Sequence, residues 1–410
     1  MSDYIKYRER RRGLFFEETD IYCATGMRDR ISELPDDVLD HILGLLPIQE
    51  AARTAVLSTV WRDVWLSLSH LSFDQTFFNH IRNHYVKEAS FLVVNKVLMK
   101  HKGPVRKFVF DFGFWRSSDS FRWPDFDQWL LLLTQNGVEE VFLSFGNCSA
   151  YILPDCMFSC QTLKKLHLNG VFVEPINAPC IFPNVVSLHL ENARFGTPNH
   201  VGSAVNLPML ECLTCKRISD FNITAPKLKR LQIIPWTESP ILPLKLNLKP
   251  IRHHQLGMVY LKSFAQELSR IGQDGTALNV EYLELKFCPR NDKEISAFVH
   301  LVGMCPKLCK LDVKCHGAES TSIEALLKHR DDSVAQTCKG VRALNVFCSF
   351  RGSMPEMQFF KWLVTRFPTL EKIVVFQTKR YCPNTELKNK RKFLRFLRSS
   401  SNAEMDYIHL

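Results

Sequence analysis

The chain has 410 residues, 46% of them hydrophobic, enough for an extended core or about two to three domains. Its 14 cysteines give no dense disulfide framework, and most lie inside apolar periodic segments, so a reducing compartment is expected. A net charge of +11 speaks to association and solubility rather than fold. The first residues contain no apolar stretch of signal-peptide type, and the longest aliphatic block, Trp129 to Leu133, is too short to span a bilayer. An intracellular protein of cytoplasm or nucleus, without a membrane anchor, is the expectation.

Residues 1–27 carry Arg8, Arg10, Arg11 and Arg12 diluted by Glu9, Glu17, Glu18 and Asp20, and read as a disordered arm. A helical module follows over 28–75. Pro35 suits a first helical turn, Asp36 and Asp37 sit at the positive end of the helix dipole, and Val38, Leu39, Ile42, Leu43 and Leu46 recur at helical spacing before Pro47 stops the run. Ala52, Ala55, Val56, Val60, Trp61, Val64 and Trp65 form a second amphipathic pattern. So short a module buries too little surface to stand alone and needs a partner protein, the following domain, or both.

Leu34-Pro35, Leu39, Ile42-Leu43, Leu46-Pro47, the run Arg53 to Ser58 and Trp61-Arg62 together resemble the F-box, in the plant form that heads F-box/leucine-rich-repeat proteins, including those with a C-terminal FBD-like region. Gln49, Thr59 and Val60 depart from the basic residues usual in that family. The resemblance implies docking on the Skp-type adaptor of an SCF (cullin–RING) ubiquitin ligase, and through it on a cullin. Leu34, Pro35, Val38, Leu39, Ile42, Leu46 and Pro47 are the implied contact residues, with Trp61 assigned to folding. The same helices are also suited to shield the end of a repeat array.

The rest of the chain is organised by repetition. A core of the form apolar-x-x-apolar-x-apolar returns as Val105/Phe108/Phe110, Val138/Val141/Leu143, Leu163/Leu166/Leu168, Val185/Leu188/Leu190, Leu210/Leu213/Cys215 and Leu228/Leu231/Ile233. It continues as Val280/Leu283/Leu285, Leu308/Leu311/Val313, Val341/Leu344/Val346 and Leu370/Ile373/Val375. Central starts are 25, 22, 25 and 18 residues apart, straddling the roughly 20–29 of leucine-rich repeats. Pro183, Pro208, Pro226, Pro306 and Pro368 each stand two residues before a core and are expected to end the preceding element and deliver the chain, extended, into a strand. Ile295, Phe298, Val299, Val302 and Phe360, Leu363, Val364, Phe367 predict helices ahead of two of them. The fold class is therefore α/β: the helical module followed by an irregular leucine-rich-repeat solenoid, a curved parallel sheet with outer helices.

Only Cys288 fills the Asn/Cys position of that repeat, so its side-chain ladder is expected to be mostly absent. Residues 76–289 read as repeats interrupted at about 235–279, where Leu242, Leu244, Leu246 and Leu248 alternate like a strand and Leu261 to Ile271 suggest a helix. Residues 290–398 read as final, FBD-like repeats, with Lys388, Lys390, Arg391 and Lys392 on a solvated helix face, and 399–410 as a tail.

Signals of chemistry are weak. Cys212 and Cys215 have zinc-ribbon spacing but no second pair. Cys305, Cys309, Cys315 and His316 straddle a turn and a strand, and His253-His254 fits a loop, so no metal site and no cofactor are expected. No Gly-rich phosphate loop, nucleophile elbow or His-Glu-x-x-His is present, which argues for a non-catalytic protein. No nucleic-acid motif accompanies the basic clusters, so nucleic acid is not an expected partner. Trp115, Trp123 and Trp236 fall outside the apolar period and are candidates for contact with a target protein, as interface hot spots favour Trp. The reading that follows is a substrate-recognition subunit of an SCF ubiquitin ligase. Its rival is a leucine-rich-repeat scaffold or ligand receptor outside any ligase.

Overall fold

The computed structural model describes residues 29–84, 88–112, 123–146, 151–174, 180–195, 204–218, 222–234, 245–246, 255–260, 280–287, 292–315, 340–348, 354–377, 387, 390–391, 394 and 403–409. At the start, the Asp29 carboxylate accepts the backbone N–H groups of Ile31 and Ser32, forming a turn that leads into three short helices. Helix α1 (Asp36–Gly44) opens with Pro35 at its N-cap, whose carbonyl accepts from Val38 and Leu39, and with Asp36 and Asp37 in the first turn. Pro47 ends that run and caps α2 (Ile48–Thr54). The second amphipathic pattern is two helices, not one: the chain breaks at residues 55–58, and Ser58 Oγ accepts the Trp61 N–H to cap α3 (Thr59–Leu66).

The chain then enters the first strand, β1 (His70–Phe73), so the sheet starts at the end of the helical module. Two helices, α4 (Gln75–His84) and α5 (Glu88–Lys100), precede β2 (Lys107–Asp111), and α6 (Trp123–Gln135) precedes β3 (Glu140–Ser144). Strand β4 (Tyr151–Ile152) and helix α7 (Asp155–Phe158) lead to β5 (Lys165–Asn169), followed by β6 (Val171–Val173), β7 (Ser187–Glu191), β8 (Arg194–Phe195), β9 (Ala204–Asn206), β10 (Cys212–Lys216), β11 (Asn222–Thr224) and β12 (Arg230–Ile234). After β13 (Lys245–Leu246) and β14 (Gln255–Tyr260) come β15 (Tyr282–Phe287), helix α8 (Asp292–Gly303), β16 (Lys310–Cys315) and β17 (Ala343–Cys348). Helix α9 (Met354–Arg366), β18 (Lys372–Gln377) and β19 (Glu404–His409) complete the described elements.

Among the described residues thirteen strands form one sheet in the order β1-β2-β3-β5-β7-β10-β12-β14-β15-β16-β17-β18-β19, with each neighbouring pair parallel. This is the α/β, repeat-built parallel sheet the spacing of apolar cores predicts. In every fully described strand core the second and third apolar positions point into the protein: Leu166 and Leu168 stand beside Leu188 and Leu190 in register and are buried with them. Two boundaries differ from the sequence reading. The segment taken as an interruption supplies β14, paired to β12 and β15, with a register shift between Leu256 and Val259. The segment taken as a tail supplies β19, paired along its whole length to β18.

The helix–turn–strand unit holds for α8 and α9. The central connections instead pass through short strands, which pair among themselves as β4-β6-β8 and β9-β11-β13. The five prolines do not deliver extended chain. Each is the second residue of a hydrogen-bonded turn, in which the N–H of Val185, Leu210, Leu228, Leu308 or Leu370 reaches the carbonyl three residues back. A fixed φ suits proline to that position. Left-handed residues recur just beyond the strands at Gly146, Gly170, Asn192 and Arg217. At Gly170 a side chain would overlap the Gly146 carbonyl oxygen of the preceding repeat, so the position requires glycine.

The core is one cluster running from Leu39 in α1 to Val375 in β18. Its first part is aromatic. Phe110 packs within 4.9–6.2 Å of Phe78, Phe112, Phe126, Trp129 and Phe145, and Trp129 Nε1 donates to Asn95 Oδ1 at 3.1 Å. The helical module is fastened to the sheet by polar contacts too. The Asp40 carboxylate accepts both the N–H (2.7 Å) and the hydroxyl (2.6 Å) of Ser69, and the Lys102 N–H donates to the Leu66 carbonyl at 2.8 Å.

Candidate docking face and the polar face of the sheet

On the helical module, Leu39, Leu43, Ile48, Ala51, Trp61 and Val64 turn inward. That leaves an outward set of large apolar side chains: Leu34, Val38, Leu45, Leu46, Val56, Leu57 and Val60, with Leu45 73% and Val56 86% exposed. Pro35 and Pro47 are exposed and Ile42 half-buried. So concentrated an apolar display is costly in water unless a partner covers it. Leu39, expected among the contact residues, has no exposed surface. It supports the face from beneath instead of lining it. Leu45 was missed because it lies off the repeating face of α1, and Val56 and Leu57 because they stand in the break between helices.

The sheet presents a polar face made of the x positions of each strand core. Its carboxylates and amines pair across neighbouring strands: Glu140 with Lys165 (2.6 Å), Glu191 with Lys216 (2.6 Å), Glu284 with Lys314 (2.6 Å) and Lys372 with Asp406 (3.1 Å). These paired charges cancel one another, so the net positive charge of the chain resides in other basic residues. Of the C-terminal basic cluster, Lys390 lies over the Tyr407 ring at 5.6 Å, and Lys388 and Lys392 lie outside the described residues.

Two features stand out on this face. In the first, the rings of Phe142 and His167, and of His167 and His189, stack at 4.0 Å centroid distance on β3, β5 and β7. Burial, the neighbouring His189 and Lys216 hold the His167 imidazole down to about 3, and burial above all lowers His189. Both rings are neutral at ordinary pH. At the C-terminal ends of the same strands Asn192 donates to Asn169 (2.9 Å) and Asn169 to Ser144 (3.2 Å), a short ladder in place of the absent repeat asparagines. In the second, the Asp312 carboxylate accepts from Tyr282 Oη (2.8 Å) and Asn345 Nδ2 (2.9 Å), while burial raises its proton affinity. Lys314 lies over Phe347, which stacks on Phe376 at 4.4 Å.

Among the described residues the cysteine candidates do not converge. Cys215 is in the core, its thiol pushed up to about 12 by burial, whereas Cys212 lies on the opposite face of the same strand. Cys305 is buried with its thiol on the Leu301 carbonyl, and Cys309 is exposed. Cys315 and His316 side chains, and His253 and His254, lie outside the described residues, as do Trp115 and Trp236. Trp123 is the first residue of α6, and its side chain is likewise not described. Among the described residues no helix is long and apolar enough to cross a membrane.

Residues 31–73 match the F-box domain family. An F-box/FBD/LRR-repeat protein of Arabidopsis thaliana is 26% identical over 392 residues, covering 85% of this chain and 91% of that protein. An F-box/LRR-repeat protein of the same plant is 31% identical over 249 residues, 58% of this chain and 62% of its own length. A second F-box/FBD/LRR-repeat protein is 30% identical over 224 residues, 52% of this chain and 47% of its own length. The chain thus joins an F-box at residues 31–73 to a leucine-rich-repeat-like parallel sheet, and is a homologue of the F-box/FBD/LRR-repeat proteins of Arabidopsis thaliana.

Proposed function

We propose that the chain is the substrate-recognition subunit of an SCF (cullin–RING) ubiquitin ligase. The apolar face of the helical module docks on the Skp-type adaptor and through it on a cullin, and the repeats hold a target protein for ubiquitination. The observation that carries the reading is the exposed row Leu34, Val38, Leu46, Val56 and Leu57 on a module fused by one core to a long sheet. Such a module transmits position. A target held on the repeats stays at a fixed place relative to the adaptor, which raises its effective concentration at the ubiquitin-charged conjugating enzyme without any bond-forming group in this chain.

The test is co-purification of the full chain with a purified Skp-type adaptor, for wild type and the double variant Val38→Asp/Leu46→Asp. Both positions are exposed, so the variant keeps the wild-type thermal transition and loses the adaptor. Equal binding by the two proteins, or no binding by wild type, sinks the reading.

A further inference from the structure

The sequence offers no metal-binding spacing at residues 167–191, yet the fold brings three donors together there. We infer that His167, His189 and Glu191 form a binding site for a divalent transition metal of the zinc class, with an open coordination position facing away from the sheet.

His167 on β5 and His189 on β7 are register partners on adjacent parallel strands, and Glu191 follows His189 by two residues on the same face. One donor atom from each of the three lies within 4.8 Å of the others. Tetrahedral coordination at zinc's bond lengths places ligand atoms roughly 3.3 Å apart, so the required closure is about 1.5 Å at most, shared between two side chains. The two rings are stacked only 8° from parallel, so the His189 ring must also turn out of the stack before both ring nitrogens face one ion, a change in its side-chain torsions that leaves the strands in place. Neither imidazole has a hydrogen-bond partner among the described residues, while stacking on Phe142 orients the His167 ring. Glu191 engages Lys216 through Oε1, which leaves Oε2 for a metal. Lys216 thereby positions the carboxylate, although its charge opposes the cation and moderates affinity.

The donor set selects the metal. Two imidazoles and one carboxylate suit zinc, copper, nickel or cobalt, whereas calcium and magnesium favour oxygen-only shells. Three protein ligands leave a position for water or for a donor atom of a molecule seated on this face, unlike a closed structural site. Metal binding itself does not depend on the ligase reading. Only the use of the open position to grip a histidine, cysteine or carboxylate of a target protein rests on it.

The test uses the full chain, reduced and metal-free, titrated with Co2+ and followed by its visible ligand-field absorption, then with Zn2+ by calorimetry. Wild type takes up one equivalent in low-symmetry coordination. His167→Ala and His189→Ala abolish that equivalent, and Glu191→Gln weakens it by about tenfold or more. Circular dichroism melts confirm that each variant folds, as expected for side chains on the solvent side of the sheet. Thiols elsewhere in the chain also bind these ions, so the difference between wild type and variant is the readout. A wild-type titration that shows no such equivalent, or one left unchanged in folded His167→Ala and His189→Ala, overturns the site.

Discussion

Val38 and Leu39 are consecutive, yet Val38 is 38% exposed and Leu39 is fully enclosed, because neighbouring helical residues point about 100° apart. Their substitutions separate folding from docking. Leu39→Ala leaves a cavity beneath α1 and is expected to cost about 2–5 kcal/mol in urea unfolding, whereas exposed positions such as Val38 change stability by about 0.5 kcal/mol or less. A pH effect belongs to this scale as well. His101 is held below its ordinary 6.5 mainly by burial, and His70 by burial and then Lys107. The folded chain keeps these rings neutral while the unfolded chain protonates them. Stability is therefore full above about 6.5 and falls as pH drops below that value. His101→Gln removes one such group. Its urea midpoint is expected to change less than wild type's between about pH 7.5 and about pH 5.5, and an identical pH dependence would remove His101 from the account.

At the scale of elements, the strand cores were legible wherever two leucine-like residues flank a single x residue, as in Leu166-His167-Leu168 and Leu188-His189-Leu190. Parallel strands buried on one face carry that signal in every repeat. Strand β14 escaped because Gly257 and a register shift blur its alternation, and β19 because its inward residues, Met405 and Tyr407, lack the leucine-like pair of the other cores while the apolar Ile408 faces outward. Strand β19 covers the last edge of the sheet, and Tyr407 donates its hydroxyl to the buried Gln377 at 3.2 Å. Deleting residues 403–410 is expected to lower the thermal midpoint and expose the edge of β18 to association. A passive tail would leave the midpoint and the sedimentation behaviour unchanged.

For the whole molecule, the decisive feature is the joint between helices and sheet. The F-box resemblance located the module, but the fastening of its first helix to the segment that enters β1 rests on contacts 29 residues apart in sequence, such as Asp40 with Ser69. Asp40→Ala removes the acceptor of the part-buried Ser69 N–H and hydroxyl and is expected to cost about 1–3 kcal/mol. If the proposed ligase role holds and the joint transmits position, this variant still binds the adaptor while a repeat-bound target is ubiquitinated more slowly by the assembled ligase. A normal rate, with the stability loss confirmed, would show that rigidity at this joint is dispensable.

By itself the sequence determined the helical module, the α/β repeat class and nearly every core position, because burial of apolar side chains imposes a period that survives in one dimension. Tertiary structure decided what pairs with what. Outward residues carry no period of their own, and only the parallel register of β5 with β7 sets His167 beside His189 and within reach of Glu191. It also decided which apolar residues of the module remain in water, since that depends on how α1, α2 and α3 pack against one another and against β1. No local pattern records such packing.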